Sequence, residues 1–301
     1  MAAFTKFSEE SLSRYLVMFG KGELAHHEVI EGGIENSNYR VTLDQNGEQE
    51  HYVLTIIEGF DFNEIPFFNK VMTHLYQYGL PVAAPIATLD GMTSTIFCGK
   101  PTFLFPRLKG QHLDQVSETQ CTDIGRFMAR SHQALAELNT ERDNPYDPAW
   151  MRESLAQVAP RLVSEDRDLI AMLVEDYEKI LLAEIPRGII HGDLFQDNAL
   201  FLENGNLSGV IDFYHACNDL LIQDIAVALN DWCTEDNRIN SSLQQALLKG
   251  YEEIRPLMEQ ELELLPGIQK VSAGRFALTR LLSGDPPLKD PHAMLELAKS
   301  F

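Results

Sequence analysis

The stretch GIIHGDLFQDNALFLENGNLSGVIDF, from Gly188 to Phe213, decides how the rest of the chain is interpreted. It contains β-rich runs, although the surrounding half of the sequence carries helical patterns. Asn204-Gly205 lies between two apolar runs, and such a dipeptide is a strong signal for a two-residue hairpin turn. Counting back from that turn, the sequence predicts that Asn198 and Asp212 are neighbours at the open end of the hairpin, with Asp193 in the loop just before it.

The order of these three polar residues indicates a particular chemistry. Asp193, followed five positions later by Asn198, has the spacing of a kinase catalytic loop, and Asp212 stands where the metal-binding aspartate after that loop belongs. Mg²⁺ is a hard cation that prefers carboxylate and amide oxygens, and Asp193 offers an acceptor for the proton of an attacking hydroxyl. An isolated H-G-D tripeptide is usually a turn. The ordered set instead predicts Asp193 as the catalytic residue and Asn198 and Asp212 as Mg²⁺ ligands.

The first hundred residues carry mainly strand patterns. Two β-rich runs, Ser37–Leu43 and His51–Glu58, flank a turn signal in the sequence DQNG. Apolar residues at helical spacing predict a helix over Glu64–Tyr78, and a further strand pair is predicted over Thr93–Phe97 and Thr102–Phe105, around Gly99-Lys100-Pro101.

A small-residue segment in this first part is a candidate phosphate cradle, because small residues let backbone N–H groups approach phosphates. Its candidate nucleotide-binding residues are Gly32, Gly33, Asn36, Ser37 and Asn38. A plain hairpin turn is the alternative interpretation. Kinases usually carry a phosphate-binding lysine on the third strand, but Thr55 occupies that position here. Arg40 is a candidate substitute, although a solvated strand arginine explains it equally well.

After Pro106 the pattern becomes helical. Ser117-Glu118-Thr119-Gln120 is a capping box that opens a helix to about Leu138. Further helices are predicted at about 150–162, 164–184, 221–235, 240–254, 256–265 and 267–283, with Pro256 and Pro266 in first turns and Asp290-Pro291 opening the last helix. The chain is therefore predicted to have an α+β fold: a small β-rich lobe over 1–105, a connector over 106–110 and a larger, mostly helical lobe over 111–301.

The composition excludes several classes of partner. The chain has 301 residues with 24 basic and 45 acidic side chains, which gives a net charge of −21. Nucleic acids and anionic membranes bind clustered Lys and Arg, so neither is expected as a partner. The four cysteines are scattered, which indicates neither a zinc site nor a disulfide framework. The sequence shows no secretory signal and no apolar run long enough to cross a bilayer, so we expect a cytoplasmic protein.

The same motifs resemble a known superfamily over nearly the whole chain. The glycine-rich segment, the connector FPRLKG (Phe105–Gly110), HGDLFQDN and VIDF are ordered as in the aminoglycoside phosphotransferases and choline kinases. Within that superfamily the chain most resembles the phosphotransferase-type bacterial homoserine kinases. The strings that carry this resemblance are YVLTIIE (52–58), LPVAAPI (80–86), VIDFYHACND (210–219), NDWC (230–233) and KDP (289–291).

The resemblance implies a protein-kinase-like, two-lobed fold that binds ATP and Mg²⁺ between the lobes, with adenine against the connector backbone near Phe105 and Arg107. It implies ATP-dependent phosphorylation of the L-homoserine hydroxyl to O-phosphohomoserine in threonine biosynthesis. The homoserine kinases resemble this chain in having threonine at the position of Thr55. Many of them are expected to read HADLFRDN, so Gly192 and Gln196 are departures, and Gln196 removes a positive charge near the loop.

A zwitterionic acceptor such as homoserine needs an anion for its ammonium group and a cation for its carboxylate. Asp231 and either Asn218 or Asp219 are candidates for the ammonium, and Arg275 and Arg280 for the carboxylate. Packing or surface ion pairing would explain any of these residues as well, and Trp232 fits a core position better than a pocket wall. The candidate substrate-binding residues are Tyr214, Asn218, Asp231, Trp232, Arg275 and Arg280.

Two alternatives remain open at the level of the sequence. The first is a kinase of the same fold that acts on an aminoglycoside, choline or another amino alcohol. The second is a nucleotide-binding pseudokinase, for which Thr55 is the support. Because the lysine is missing and the chain is acidic, the sequence also predicts that nucleotide binding depends unusually strongly on the metal.

Overall fold

A computed structural model describes residues 5–30, 35–284 and 289–301, so the predicted cradle residues Gly32 and Gly33 lie outside the described residues. The chain divides into a β-rich unit and a mostly helical unit, as the sequence predicts. The first unit runs to Lys109 and includes Gly209–Ile211, and the second comprises Gly110–Ser208 and Asp212–Phe301.

The first unit is built on one antiparallel sheet of five strands in the order β1-β2-β3-β5-β4. The strands are β1 (Glu23–Val29), β2 (Ser37–Gln45), β3 (Glu48–Ile56), β4 (Thr95–Phe97) and β5 (Lys100–Pro106). Alternate residues of β2 are buried, which matches the period of a strand with one face on a core.

The two predicted hairpins of this sheet are present, with one change in the second. Gln45 pairs with Glu48 across Asn46 and Gly47, both of which have positive φ, as a type I′ turn requires. In the second hairpin, Phe97 pairs with Lys100, so the loop is Cys98-Gly99 and the expected turn at Gly99-Lys100-Pro101 is wrong.

Two helices accompany the sheet, α1 (Glu9–Leu16) and α2 (Ile65–Gln77). The prediction of a helix over Glu64–Tyr78 is confirmed by α2. The sequence analysis missed α1, although Ser8 caps it by accepting the Ser11 N–H at 3.2 Å. Leu12, Tyr15 and Leu16 pack into one core cluster with residues of the sheet.

The second unit holds seven helices within the described residues. They are α3 (Glu118–Leu135), α4 (Pro148–Val158), α5 (Ser164–Ile180), α6 (Leu221–Trp232), α7 (Ser241–Glu252), α8 (Glu259–Leu282) and α9 (Pro291–Lys299). The Ser117–Gln120 capping box and the Asp290 N-cap form as predicted. The short strands are β6 (Arg187–Ile190), β7 (Ala199–Phe201), β8 (Leu207–Val210), β9 (Cys217–Leu220), β10 (Thr234–Glu235) and β11 (Arg238–Ile239). Among the described residues, no helix is long and apolar enough to span a membrane.

Helix α8 corrects the expectation of two helices broken at Pro266. It continues through Pro266 to Leu282. A proline inside a helix costs about 3 kcal/mol through a lost hydrogen bond and a steric clash. The helix buries Leu265, Ile268 and Val271 on either side of the proline, and that burial offsets the cost.

Helices α3 and α7 approach each other so closely that only glycine fits at two positions. A Cβ atom on Gly125 would lie 2.1 Å from the Leu247 carbonyl oxygen, and one on Gly250 would lie 2.1 Å from the Thr122 carbonyl oxygen. Both clashes are with backbone, so no side-chain rotation relieves them.

We predict that Gly125→Ala and Gly250→Ala each lower the free energy of unfolding by roughly 1–3 kcal/mol, because one helix must move away from the other. Urea unfolding measures the effect. Gly267→Ala in α8 is the matched control, since its Cβ would meet a side-chain carbon at 3.4 Å. Ala is favoured over Gly in a helix by about 1 kcal/mol, so the control should be neutral or stabilised. Equal stability of all three variants would contradict the close approach.

Candidate active site

The loop from His191 to Asn198 brings two of the predicted site residues into contact. It leaves strand β6, which pairs antiparallel with β9, and it ends in a short 3₁₀ turn at Gln196–Asn198. The side-chain amide nitrogen of Asn198 donates to the backbone carbonyl of Asp193 at 2.8 Å and to its carboxylate Oδ2 at 3.1 Å. The spacing of five residues thus closes a ring that holds the Asp193 carboxylate beside the Asn198 amide.

The third predicted residue, Asp212, adopts an unusual backbone conformation. Its φ of 65° and ψ of 59° lie in the left-handed region, directly before a 3₁₀ turn over Phe213–His215. Aspartate tolerates this region better than most residues because its short polar side chain bonds locally. This conformation turns the chain sharply between β8 and the 3₁₀ turn.

The hairpin between β7 and β8 forms, but the predicted two-residue turn is wrong. The Leu202 carbonyl accepts from the Gly205 N–H, and the Leu202 N–H donates to the Asn206 carbonyl. The loop therefore has three residues, Glu203, Asn204 and Gly205, and ends on Gly205 in the left-handed region at φ 83°. The strand register is shifted by one residue from the expected pairing.

One carboxylate on helix α6 holds the backbone of the loop. Asp224 accepts the N–H of His191 at 3.0 Å and that of Gly192 at 2.9 Å, and it pairs with His132 Nε2 at 3.0 Å. Burial opposes ionisation of Asp224, but the His132 hydrogen bond and the charges of His132 and His191 outweigh it and hold the pKa below its usual range. A buried anion with three donors therefore fixes the backbone of His191 and Gly192, directly before Asp193.

Neither Asp224 nor its partner His132 was predicted from the sequence. Their hydrogen-bond chain continues from His132 Nδ1 to the Tyr251 hydroxyl at 2.8 Å, so α3, α6 and α7 all support the loop. A signal was available: Asp224 is the one acid inside the otherwise mostly apolar run LLIQDIAVAL. A lone carboxylate in such a run is usually buried and bonded.

Two residues predicted to bind substrate contact the same loop from the end of α6. Asp231 Oδ2 accepts the Gln196 N–H at 2.7 Å, and Trp232 Nε1 donates to the Leu194 carbonyl at 3.0 Å. Trp232 is 1% exposed, so its position is in the core under the loop rather than in a pocket wall. Burial raises the pKa of Asp231 to about 6. The hydrogen bond from the Gln196 N–H lowers this pKa, and repulsion from Asp197 raises it further.

The other predicted substrate residues are distributed around this centre. Tyr214 is buried in the 3₁₀ turn after Asp212, and Asn218 Oδ1 accepts the Arg142 N–H at 2.9 Å. Arg280 donates to the Asp290 carbonyl at 2.8 Å, and Arg275 stacks on the ring of Tyr146.

The predicted nucleotide residues lie in the first unit. Thr55 donates to Asn38 Oδ1 at 2.7 Å, Asn36 Oδ1 accepts the Glu58 N–H at 3.2 Å, and the Ser37 hydroxyl contacts Glu58. Glu58 also forms an ion pair with Lys100, a cation that the sequence analysis did not single out.

The remaining nucleotide candidates already have partners in the sheet. Arg40 forms an ion pair with Glu28 at 2.8 Å on an exposed face. The Arg107 N–H donates to the His51 carbonyl at 3.0 Å, so an adenine contact there would have to replace that bond, and Phe105 pairs with Val53.

Asn198, just before the hairpin, and Asp212, just after it, fit a magnesium ion by their chemistry. Since Asn198 turns its amide nitrogen to Asp193, its amide oxygen remains, and no described residue donates to that oxygen. This oxygen and the Asp212 carboxylate are the hard donors that Mg²⁺ takes, usually one or two from protein with the rest from phosphates and water. The described residues include no cluster of three or more His, Cys, Asp or Glu that could hold a metal.

Comparison with known proteins places this arrangement in a family. The sequence pattern of the phosphotransferase enzyme family matches residues 26–257. Homoserine kinase of Neisseria meningitidis serogroup B is 36% identical over the full length of both chains. Homoserine kinase of Methylobacillus flagellatus is 38% identical and covers 93% of this chain and 87% of its own.

Solved structures share the fold at low sequence identity. An amicoumacin kinase in complex with AMP-PNP and Ca²⁺ matches 97% of this chain and 92% of its own, with a TM-score of 0.77 and 15% identity. An ethanolamine kinase of Plasmodium vivax matches all of this chain and 92% of its own, with a TM-score of 0.66 and 15% identity. These likenesses confirm the predicted kinase-like fold.

We predict that Asp224→Asn lowers the free energy of unfolding at neutral pH by roughly 3–5 kcal/mol and lowers kcat, because one loop N–H loses its acceptor and the buried His132 loses its carboxylate partner. Denaturant unfolding and steady-state kinetics measure the two effects. The pKa of Asp224 is lower in the folded protein than in the unfolded chain, so its charge stabilises the folded state. The difference in unfolding free energy between wild type and variant should therefore be largest above the ordinary pKa range of Asp. It should shrink as the pH falls through the folded pKa.

Asp176→Asn is the matched control for this prediction, because Asp176 forms only an exposed ion pair with Lys179. Exposed pairs contribute about 0–1 kcal/mol, so the control should retain both stability and kcat. A similar loss in both variants would show that Asp224 does not hold the loop.

Proposed function

The chain belongs to the phosphotransferase enzyme family, with the homoserine kinases as its full-length relatives, and on this premise we propose that it transfers the γ-phosphoryl group of ATP to the hydroxyl of L-homoserine. The observation that carries the proposal is the contact between Asp193 and Asn198, which sets a proton acceptor beside a cation ligand in one loop. The reaction is phosphoryl transfer to an alcohol.

The alternative acceptors are less well supported. Relatives named homoserine kinase are 35–38% identical over nearly the whole chain. Kinases of antibiotics and of ethanolamine share the fold at only 13–18% identity. No observation favours a pseudokinase, because Asp193, Asn198 and Asp212 are all present.

In the proposed mechanism, Asp193 orients the homoserine hydroxyl and accepts its proton as the oxygen attacks phosphorus. Asn198 holds the Asp193 carboxylate from one side, and Asp224 fixes the backbone behind it. A residue held at that many points loses little freedom when substrate binds, which lowers the cost of reaching the reactive geometry.

Asn198 and Asp212 are the residues that would hold Mg²⁺. When bound, the ion supplies positive charge to the phosphate oxygens. The residues predicted to bind the nucleotide are Asn36, Ser37, Asn38 and Thr55, together with Phe105 and Arg107. Arg40 contributes least to this proposal, since its charge is already compensated by Glu28.

We predict that Asp193→Ala lowers kcat at least about 100-fold while the Kd for nucleotide stays within about threefold, because the side chain moves a proton and binds no phosphate. A coupled assay of ADP release and a nucleotide titration measure the two quantities. Glu203→Ala, an exposed change in the neighbouring hairpin loop, is the control and should retain full activity. Near-normal turnover by Asp193→Ala would overturn the mechanism.

We predict that chelation by EDTA weakens ATP binding at least about tenfold, since the first unit lacks the strand lysine and the chain carries a charge of −21. Calorimetric titration of the wild type and of Asn198→Ala, each with Mg²⁺ and with EDTA, measures this. Asn198→Ala should weaken binding in Mg²⁺ and leave binding in EDTA unchanged. Equal affinity of the wild type in both buffers would contradict the metal dependence.

A further inference from the structure

Arg275, on helix α8, is a buried cation held in a defined orientation. The residue is 5% exposed. Its guanidinium carbon lies 3.7 Å from the ring centroid of Tyr146 and 4.0 Å from that of Phe276. Contacts with two rings fix the plane of a guanidinium while its N–H groups stay directed outward along its edges.

No acidic side chain in the part of the chain that the structure describes forms an ion pair with this cation. Among the described residues, no carboxylate lies within 4 Å of the Arg275 guanidinium, and none of them accepts a hydrogen bond from it. Burying a charge without a partner is costly, so buried guanidinium groups are usually paired and fully bonded. Aromatic faces recover only part of that cost, which leaves Arg275 able to bind an anion strongly.

The side chain lines a small cavity beside the loop residue Gly192. Gly192, His215 and Gln223 line it as well, and its volume of about 10 Å³ suits one small polar group. Gln223 Oε1 is buried with no donor among the described residues. Burial raises the pKa of Cys217, another lining residue, to about 12.

The other predicted arginine, Arg280, has a different environment. It donates to the Asp290 carbonyl, and Asp231, Asp290, Asp193 and Asp197 all act on it electrostatically. Those four acids act on the Arg280 charge and would repel an incoming carboxylate. Arg275 and Arg280 are equally good candidates in the sequence, but their different surroundings favour Arg275 as the residue that binds a carboxylate.

We propose that Arg275 binds the carboxylate group of the amino-acid acceptor and so determines that the enzyme acts on an amino acid rather than on an amino alcohol. This assignment rests on the proposed function, since it names the group of homoserine that enters the cavity beside Gly192. A planar guanidinium that lies over two aromatic rings offers two parallel N–H donors to a carboxylate, which is a strong and selective contact.

The test compares Arg275→Met and Arg275→Lys with the wild type on two acceptors. L-homoserine carries the carboxylate, and 3-amino-1-propanol has the same hydroxyl and ammonium without it. Arg275→Met should lower kcat/KM for homoserine about 100-fold or more and change that for 3-amino-1-propanol by less than about threefold. Arg275→Lys keeps the positive charge but lacks the two parallel N–H donors of a guanidinium, so its loss of kcat/KM for homoserine should be intermediate.

Thermal unfolding of Arg275→Met without ligand is a second readout. Removal of an unpaired buried charge should leave the midpoint unchanged or raise it, so a loss of activity would not reflect misfolding. Equal losses with both acceptors would indicate a merely structural Arg275 and overturn the proposal. Unchanged activity with homoserine would also overturn it. A wild type that turns over no homoserine would instead overturn the proposed function, and this assignment with it.

Discussion

The rest of the site depends on a carboxylate buried in the middle of the second unit. Asp224 is 2% exposed, and an anion at that depth is stable only if donors surround it. Two donors are the backbone N–H groups of His191 and Gly192 in the loop from His191 to Asn198, and the third is His132. The Tyr251 hydroxyl bonds His132 and lies 3.3 Å from an Arg255 nitrogen, and Arg255 pairs with the fully buried Glu261. The loop is thus anchored, through one connected polar network, to four helices.

Helix α6 is the element through which this anchoring acts. Asp224 and Asp231 are seven residues apart, which is close to two helical turns, so both lie on the helix face toward the loop. Asp224 bonds the loop at its start and Asp231 bonds it at Gln196, while Trp232 bonds the Leu194 carbonyl between them. A loop held at its two ends and its middle by one rigid helix presents Asp193 and Asn198 in a fixed relation, which is the preorganisation that phosphoryl transfer requires.

The features of this site that could be predicted from the sequence are those set by residues close together in the chain. The spacing from Asp193 to Asn198 is short enough for contact to follow from it, and turn signals such as Asn46-Gly47 act through a few neighbouring dihedral angles. The continuity of α8 through Pro266 depends on packing with distant residues, which the local sequence does not show. The register of the hairpin at Gly205 depends on which of two loop types forms, and the same Asn-Gly dipeptide fits both. Asp224 could be noticed as a lone acid, but its partners come from elements distant in the sequence.

The two arginines of α8 show why charge alone does not identify a binding residue. In the sequence both are cations on one helix of a chain with a charge of −21, so long-range attraction to an anion is weak for either. Their difference arises over a few ångströms: four acids act on Arg280, whereas aromatic rings cover Arg275. Acids close to a guanidinium repel an incoming carboxylate, so Arg275, with no carboxylate within 4 Å among the described residues, attracts one more strongly than Arg280 does. An acidic protein can therefore bind an anionic group, provided that the cation which receives it is kept away from the protein's own acids.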